Sequence, residues 1–145
     1  MSNSQQITIT WKRSFIKGKI IKKDVNKATE YLNKIDSSNK KVYFLIKGQI
    51  LRKMDKYKQA FKHFKEGTLI NSNECTYQYG KMHFLGEGTK QNIDEAIILF
   101  NHSIAEGHEK SKYFMRVYAA LCQIRGFSGL SSEAQMVFIK NSMKN

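Results

Sequence analysis

The residues of this chain whose chemistry would depend on spacing are four histidines, two cysteines, one adjacent acid pair and one tight glycine pair. A helix presents two metal ligands on one face when histidines stand three or four apart, and His63, His83, His102 and His108 include no such pair. His102 and His108 flank Gly107, with Glu106 and Glu109 beside them, so a turn there would gather two imidazoles and two carboxylates. Solvated or core-edge histidines are the simpler reading, and no metal is expected. Cys75 and Cys122 lie in apolar helical patterns, whereas an activated thiolate needs a positioned base or a helix N-terminus. Both are therefore read as buried packing residues in a reducing compartment. Asp94 and Glu95 are adjacent and point about 100° apart on a helix, so they cannot face each other as acid and base. In a first helical turn they complement the helix dipole instead. Gly86-Glu87-Gly88 neither follows a strand nor leads to the Lys and Ser or Thr of a phosphate loop, and reads as a turn. Tyr77, Tyr79, Phe84, Tyr113, Phe114 and Tyr118 would stack nucleic-acid bases if exposed, but their helical spacing places them in a core. No catalytic residue, metal or cofactor is assigned, and the chain is read as no enzyme.

Charge is the feature left over. Of the net +13, residues 1–70 carry 17 Lys and Arg against 5 Asp and Glu, and residues 71–145 carry 8 against 7. Lysine-rich composition explains a high total, since 21 of the 25 basic residues are Lys, but not its confinement to one half. One sign of charge concentrated in half of a small protein repels itself, so it marks a surface that meets something acidic. Scarce arginine argues against base-specific readout, because lysine acts as a point charge.

Helices must position that charge. Proline is absent and the longest apolar run, Val117–Cys122, is far below the ~20 residues of a membrane span, so no transmembrane segment is expected. Four alanines are each followed four residues on by a large apolar residue: Ala28 and Leu32, Ala60 and Phe64, Ala96 and Phe100, Ala134 and Phe138. Gly18, Gly48 and Gly80 precede the first three, and Arg116 takes the fourth glycine's place. Close crossing of two helices favours small residues on both, so each repeat is expected to be a helix pair, with Gly80 facing the helix that carries Ala96. One pair cannot bury its own apolar stripe, and successive pairs stack into a solenoid. The spacing predicts helices near 11–22, 25–36, 40–53, 55–69, 73–85, 92–105, 109–124 and 131–143. Asn92 and Glu95 read as a capping box, and Gly67, Gly107 and the Gly126–Gly129 stretch as helix stops. Lys140, Asn141, Ser142 and Lys144 give the last helix a polar capping face.

Tyr79, Gly80, Gly86, Glu87, Gly88, Asp94, Glu95, Ala96, Phe100, Ser103, Ile104 and Gly107 together resemble a Sel-one-like repeat. The Gly48 to Ala60 spacing of 12 is similar to that of a tetratricopeptide repeat, while the 16 from Gly80 to Ala96 suits the longer Sel-one-like loop. The resemblance implies an all-α fold, an α-solenoid of antiparallel helix pairs wound as a right-handed superhelix. It also implies one domain over 1–145 with about four pairs, 1–10 being an N-terminal tail. The first helix of each pair would line a concave groove, at Lys12, Phe15, Lys19, Lys22 and Lys23, then Val42, Leu45, Gln49, Arg52 and Lys53. The family's carboxylate clamp for chaperone tails uses groove asparagines that these positions lack.

The expected partner is an acidic or amphipathic protein segment, held by a non-catalytic adaptor or scaffold. The alternative is a subunit of a ribonucleoprotein or other large assembly with the basic half against RNA phosphate. Residues 1–23 are basic and hydroxylated with no acid before Asp24, as in a mitochondrial presequence, but five of their six basic residues are lysine and the segment fits the first repeat. A cytoplasmic protein is the primary expectation and the mitochondrial matrix the alternative.

Overall fold

The structure, a computed structural model, describes residues 25–34 and 38–144. Among these, every regular element is helical: α1 (Val25–Lys34), α2 (Lys40–Lys53), α3 (Tyr57–Leu69), α4 (Asn73–Leu85), α5 (Ile93–Ala105), α6 (Glu109–Cys122), a single 3-10 turn (Phe127–Gly129) and α7 (Ser132–Met143). The all-α expectation holds, and each predicted boundary of a described helix falls within two residues of the observed one. The helix predicted over 11–22 lies outside the described residues, as do Gly18 and the side chain of Ala28. Backbone contacts group the chain into two compact units, Met1–Cys75 and Thr76–Asn145, with the boundary inside α4.

In the first unit α2 packs along α3. Asn39 starts α2 by accepting the Val42 N–H at 3.3 Å, one of the four amides that a helix start leaves unpaired. Met54–Lys56 turn the chain, with Asp55 at φ 59° and the Lys56 N–H donating to the Leu51 carbonyl at 2.9 Å. The stop therefore precedes Tyr57, and α3 begins two residues later than predicted. Leu45, Ile46, Ile50, Leu51, Ala60 and Phe64 form the buried apolar face.

Gly48 makes its closest approach to the helix that carries Ala60, at the ring of Phe64 rather than at the alanine. A Cβ at Gly48 would stand 2.5 Å from the Phe64 ring. Gly80, in the second unit, meets Phe100 in the same way, at 2.8 Å. Each glycine thus makes room for the phenylalanine one turn beyond the alanine, so that a full ring occupies the crossing while the alanine closes the face beside it.

Gly67 is no helix stop. It lies inside α3, and an added Cβ would fall on the Cys75 sulfur. Asn71 ends this helix at φ 62°, with Ser72 N–H on the Gly67 carbonyl at 2.9 Å and the Ser72 hydroxyl accepting the Cys75 N–H at 3.3 Å. In the second unit Gly107 does stop α5, at φ 86°, with His108 N–H on the Ser103 carbonyl at 3.0 Å. His108 then caps α6, its Nδ1 accepting the Ser111 N–H at 3.2 Å.

The Gly86–Gly88 turn has both glycines at positive φ, 74° and 73°, and leads into α5. Asn92 accepts the Glu95 N–H at 3.0 Å, but its own N–H goes to the His83 carbonyl at 2.8 Å, so only half of the expected capping box is made. Tyr77, Phe84, Ala96, Phe100, Phe114, Phe127, Met136 and Ile139 form the second core. Its aromatic rings meet edge-on or tilted, closest at 4.6 Å between Phe100 and Phe114. Tyr113, expected in this core, is exposed.

The last helix corrects the repeat pattern. Gln135, Met136 and Ile139 are buried, Ala134 is half-buried and Phe138 is exposed, so the inward face lies one residue beyond the expected Ala134 and Phe138. The Gln135 amide donates to the Phe127 carbonyl at 3.0 Å, which ties the 3-10 turn to α7. Arg116 is exposed, and Cys122, expected on a buried face, is exposed as well. Lys140, Asn141 and Lys144 do face water, together with Val137 and Phe138.

Candidate functional site

Residues 40–69 hold nine Lys and Arg against two acids, and α2 and α3 sort them by face. Along α3 the buried stripe is Ala60, Phe64 and Gly67. Opposite it, at steps of four, three and four residues, run Lys58, Lys62, Lys65 and Leu69, all exposed. Among the described residues no ion pair neutralises these three lysines, whereas Lys34 on α1 pairs with Glu30 at 2.8 Å. Leu69 is 68% exposed and prolongs the stripe with an apolar end.

On α2 the expected groove residues are partly gathered. Gln49, Arg52 and Lys53 lie within one turn of each other, Gln49 and Arg52 half-buried and Lys53 exposed. Val42 is half-buried, and Leu45, read as a groove position, belongs to the core instead. Lys12, Phe15, Lys19, Lys22 and Lys23 lie outside the described residues. The α3 stripe was not anticipated, although a period of one helical turn in lysine carried the signal.

His63 sits beside this surface, stacked on Phe44 with ring centroids 6.0 Å apart. Burial lowers its pKa from the ordinary histidine value, and the Lys47 and Lys62 charges lower it further. Its buried Nδ1 has no hydrogen-bond partner. The Lys47 ammonium donates to the Tyr43 hydroxyl at 2.9 Å and lies 5.1 Å from that ring's centroid. Burial likewise lowers the His83 pKa, against the smaller opposing effect of the Glu95 charge.

His108 and Cys75 are part of helix capping and core packing. His108 Nδ1 lies 2.8 Å from the Ser111 hydroxyl, a base beside an alcohol. Ser111 and its partner Ser103 are completely buried, and the imidazole is spent on capping α6, so no substrate reaches the pair. Cys75 is buried in the first core. Among the described residues no three His, Cys, Asp or Glu side chains converge as metal ligands, and no helix is long and apolar enough to cross a membrane.

The second unit supplies an internal control. Shifting by 36 residues carries Ala60 to Ala96, Phe64 to Phe100, Gly67 to Ser103, Asn71 to Gly107, Ser72 to His108 and Cys75 to Ser111. Each pair plays the same part: buried alanine, buried ring, small contact residue, positive-φ stop, N-cap and the amide it caps. The same shift carries Lys58, Lys62, Lys65 and Leu69 to Asp94, Ile98, Asn101 and Ala105, all exposed too. No protein-family model, no curated protein and no solved structure matches the chain.

Proposed function

We propose that this chain is a non-catalytic interaction protein whose basic N-terminal half holds an acidic or amphipathic segment of another protein. The observation that carries this reading is the exposed lysine set of α2 and α3, which no acid among the described residues neutralises. Such charge is retained at the cost of self-repulsion, and an acidic partner removes that cost on binding.

The 36-residue correspondence supports the architectural part of the proposal: an α-solenoid of antiparallel helix pairs, tetratricopeptide-like and Sel-one-like, wound as a right-handed superhelix. In that arrangement Gln49, Arg52 and Lys53 line a groove continued by Lys12, Phe15, Lys19, Lys22 and Lys23.

Replacing Lys19, Lys22, Arg52 and Lys53 by glutamate tests the function. The variant should keep its helical circular dichroism and lose binding to an acidic polypeptide such as poly-glutamate. Association with the wild-type chain should slow steeply as salt is added. Binding to single-stranded RNA would instead follow a log-log salt slope of about −0.7 per phosphate neutralised. Tighter binding to RNA than to poly-glutamate at matched charge would replace the proposal with the ribonucleoprotein reading. Unchanged poly-glutamate binding by the variant would remove the groove from the site.

A further inference from the structure

The outer face of α3 carries a pattern that is more specific than net charge. We propose that Lys58, Lys62, Lys65 and Leu69 form a docking ridge for an acidic helix of a partner protein, one whose three carboxylates are spaced four and three residues apart, with an apolar residue four beyond the carboxylate that meets Lys65. This rests on the reading of the basic half as an interaction surface, and adds where on it the partner lies and what form the partner takes.

Three features of the ridge favour such a helix. First, the steps of four, three and four keep all four side chains on one line of the helix surface, and from Lys58 to Lys65 the axial rise is about 10 Å. A second helix laid alongside repeats its side chains at the same rise, so three ion pairs form without distorting either chain. The sequence of steps is the same read in either direction, which lets the partner run antiparallel, the direction that opposed helix dipoles favour.

Second, Leu69 continues the lysine line at 68% exposure. An apolar end suits an amphipathic helix and offers nothing to a phosphate backbone. Among the described residues of the first unit no aromatic side chain is fully exposed, so the ridge also lacks a platform on which bases would stack.

Third, the fold does not require these residues. The counterpart stripe on α5 is Asp94, Ile98, Asn101 and Ala105, at the same exposure opposite the same alanine and phenylalanine. A frame that accepts both stripes leaves the lysines to be explained by what they meet. Gln49, Arg52 and Lys53 of α2 are not among the ridge residues, so separate variants test the two sets.

The test uses the full chain and three fluorescent probes of equal net charge. One is a helical peptide with glutamates at j, j+4 and j+7 and leucine at j+11, made also in reverse order. The second has the same composition with the acids scattered around the helix, and the third is a single-stranded RNA. At low salt the better of the two patterned peptides should bind about tenfold more tightly than the scattered one, a factor that three exposed ion pairs supply. Lys58, Lys62 and Lys65 changed together to glutamine should remove that difference, changed together to arginine should keep it, and Leu69→Ser should weaken binding of the patterned peptide several-fold.

Equal binding of patterned and scattered peptides overturns the proposal, as does tighter binding of the RNA. If the glutamine variant still discriminates while the Lys19, Lys22, Arg52 and Lys53 variant loses poly-glutamate binding, the ridge is wrong and the groove function stands. If the glutamine variant loses discrimination while the groove variant still binds poly-glutamate, the ridge stands and the groove is wrong. Circular dichroism melting of every variant separates lost contacts from lost fold.

Discussion

The two units place the same buried residues in the same roles and then diverge where they meet water. Ala60, Phe64 and Cys75 have their counterparts in Ala96, Phe100 and Ser111, while Lys62 corresponds to Ile98 and Lys58 to Asp94. The buried set follows from packing: an alanine and a ring on one face of the second helix, and a glycine on the first to admit the ring. Nothing in that requirement selects lysine at 58, 62 and 65. The difference separates what the helix pair needs in order to fold from what one pair carries for another purpose.

Overfilling the two glycine crossings should give the largest effect and test whether the frames are equivalent. Gly48→Leu and Gly80→Leu each force a side chain into a buried phenylalanine, and each should lower stability by about 1–3 kcal/mol or more in urea unfolding. A midpoint that moves in one variant and not in the other breaks the correspondence. Next come the turns. Gly107→Ala should cost about 1 kcal/mol, since φ 86° strains an L residue, whereas Asn71→Gly at φ 62° should be neutral or slightly stabilising.

Exchanging the outer stripes should perturb the fold less. Lys58→Asp, Lys62→Ile, Lys65→Asn and Leu69→Ala, made together, transplant the α5 stripe onto α3. Each exposed position should contribute no more than about 0.5 kcal/mol of stability in either direction, read from the urea midpoint.

A smaller contrast is set by pH. His63 and His83 have folded-state pKa values below that of a free histidine, so the unfolded chain binds more protons once pH drops below about 6.5. Stability should therefore decline as pH falls from there through the folded values, and be independent of these groups above it. His63→Phe should flatten the part of the decline that belongs to the first unit.

Much of this frame was legible in the sequence because it depends on local rules. Helix existence followed from apolar periodicity, and Gly107 marked a real stop through its positive φ, while Gly126, also at positive φ, leads into the 3-10 turn. The misreadings arose where a tertiary neighbour decided the outcome. Gly67 looked like a stop, but its lack of a side chain serves the approach of Cys75, and Asn71 takes the turn instead. Gly48 and Gly80 do face the helices that carry Ala60 and Ala96, but which residue of those helices fills the space, the ring one turn on, is set by the tertiary contact. In α7 the inward face shifted by one residue to bury Gln135 and Ile139, and Gln135 is accommodated by the Phe127 carbonyl, a partner no periodicity reveals. The basic half was visible as composition, but only the placement of Ala60 and Phe64 inward shows that Lys58, Lys62 and Lys65 share one outward line.

The measurement closest to the central claim is the affinity of the stripe-transplant variant for poly-glutamate at low salt, set beside that of the wild-type chain. The expected result is at least about a tenfold loss of affinity with the urea midpoint held, and a wild-type affinity that falls as salt is raised. Binding that is equally tight in the variant, or a transplant that unfolds, would show that the exposed lysines of α3 serve the fold or nothing, rather than an acidic partner.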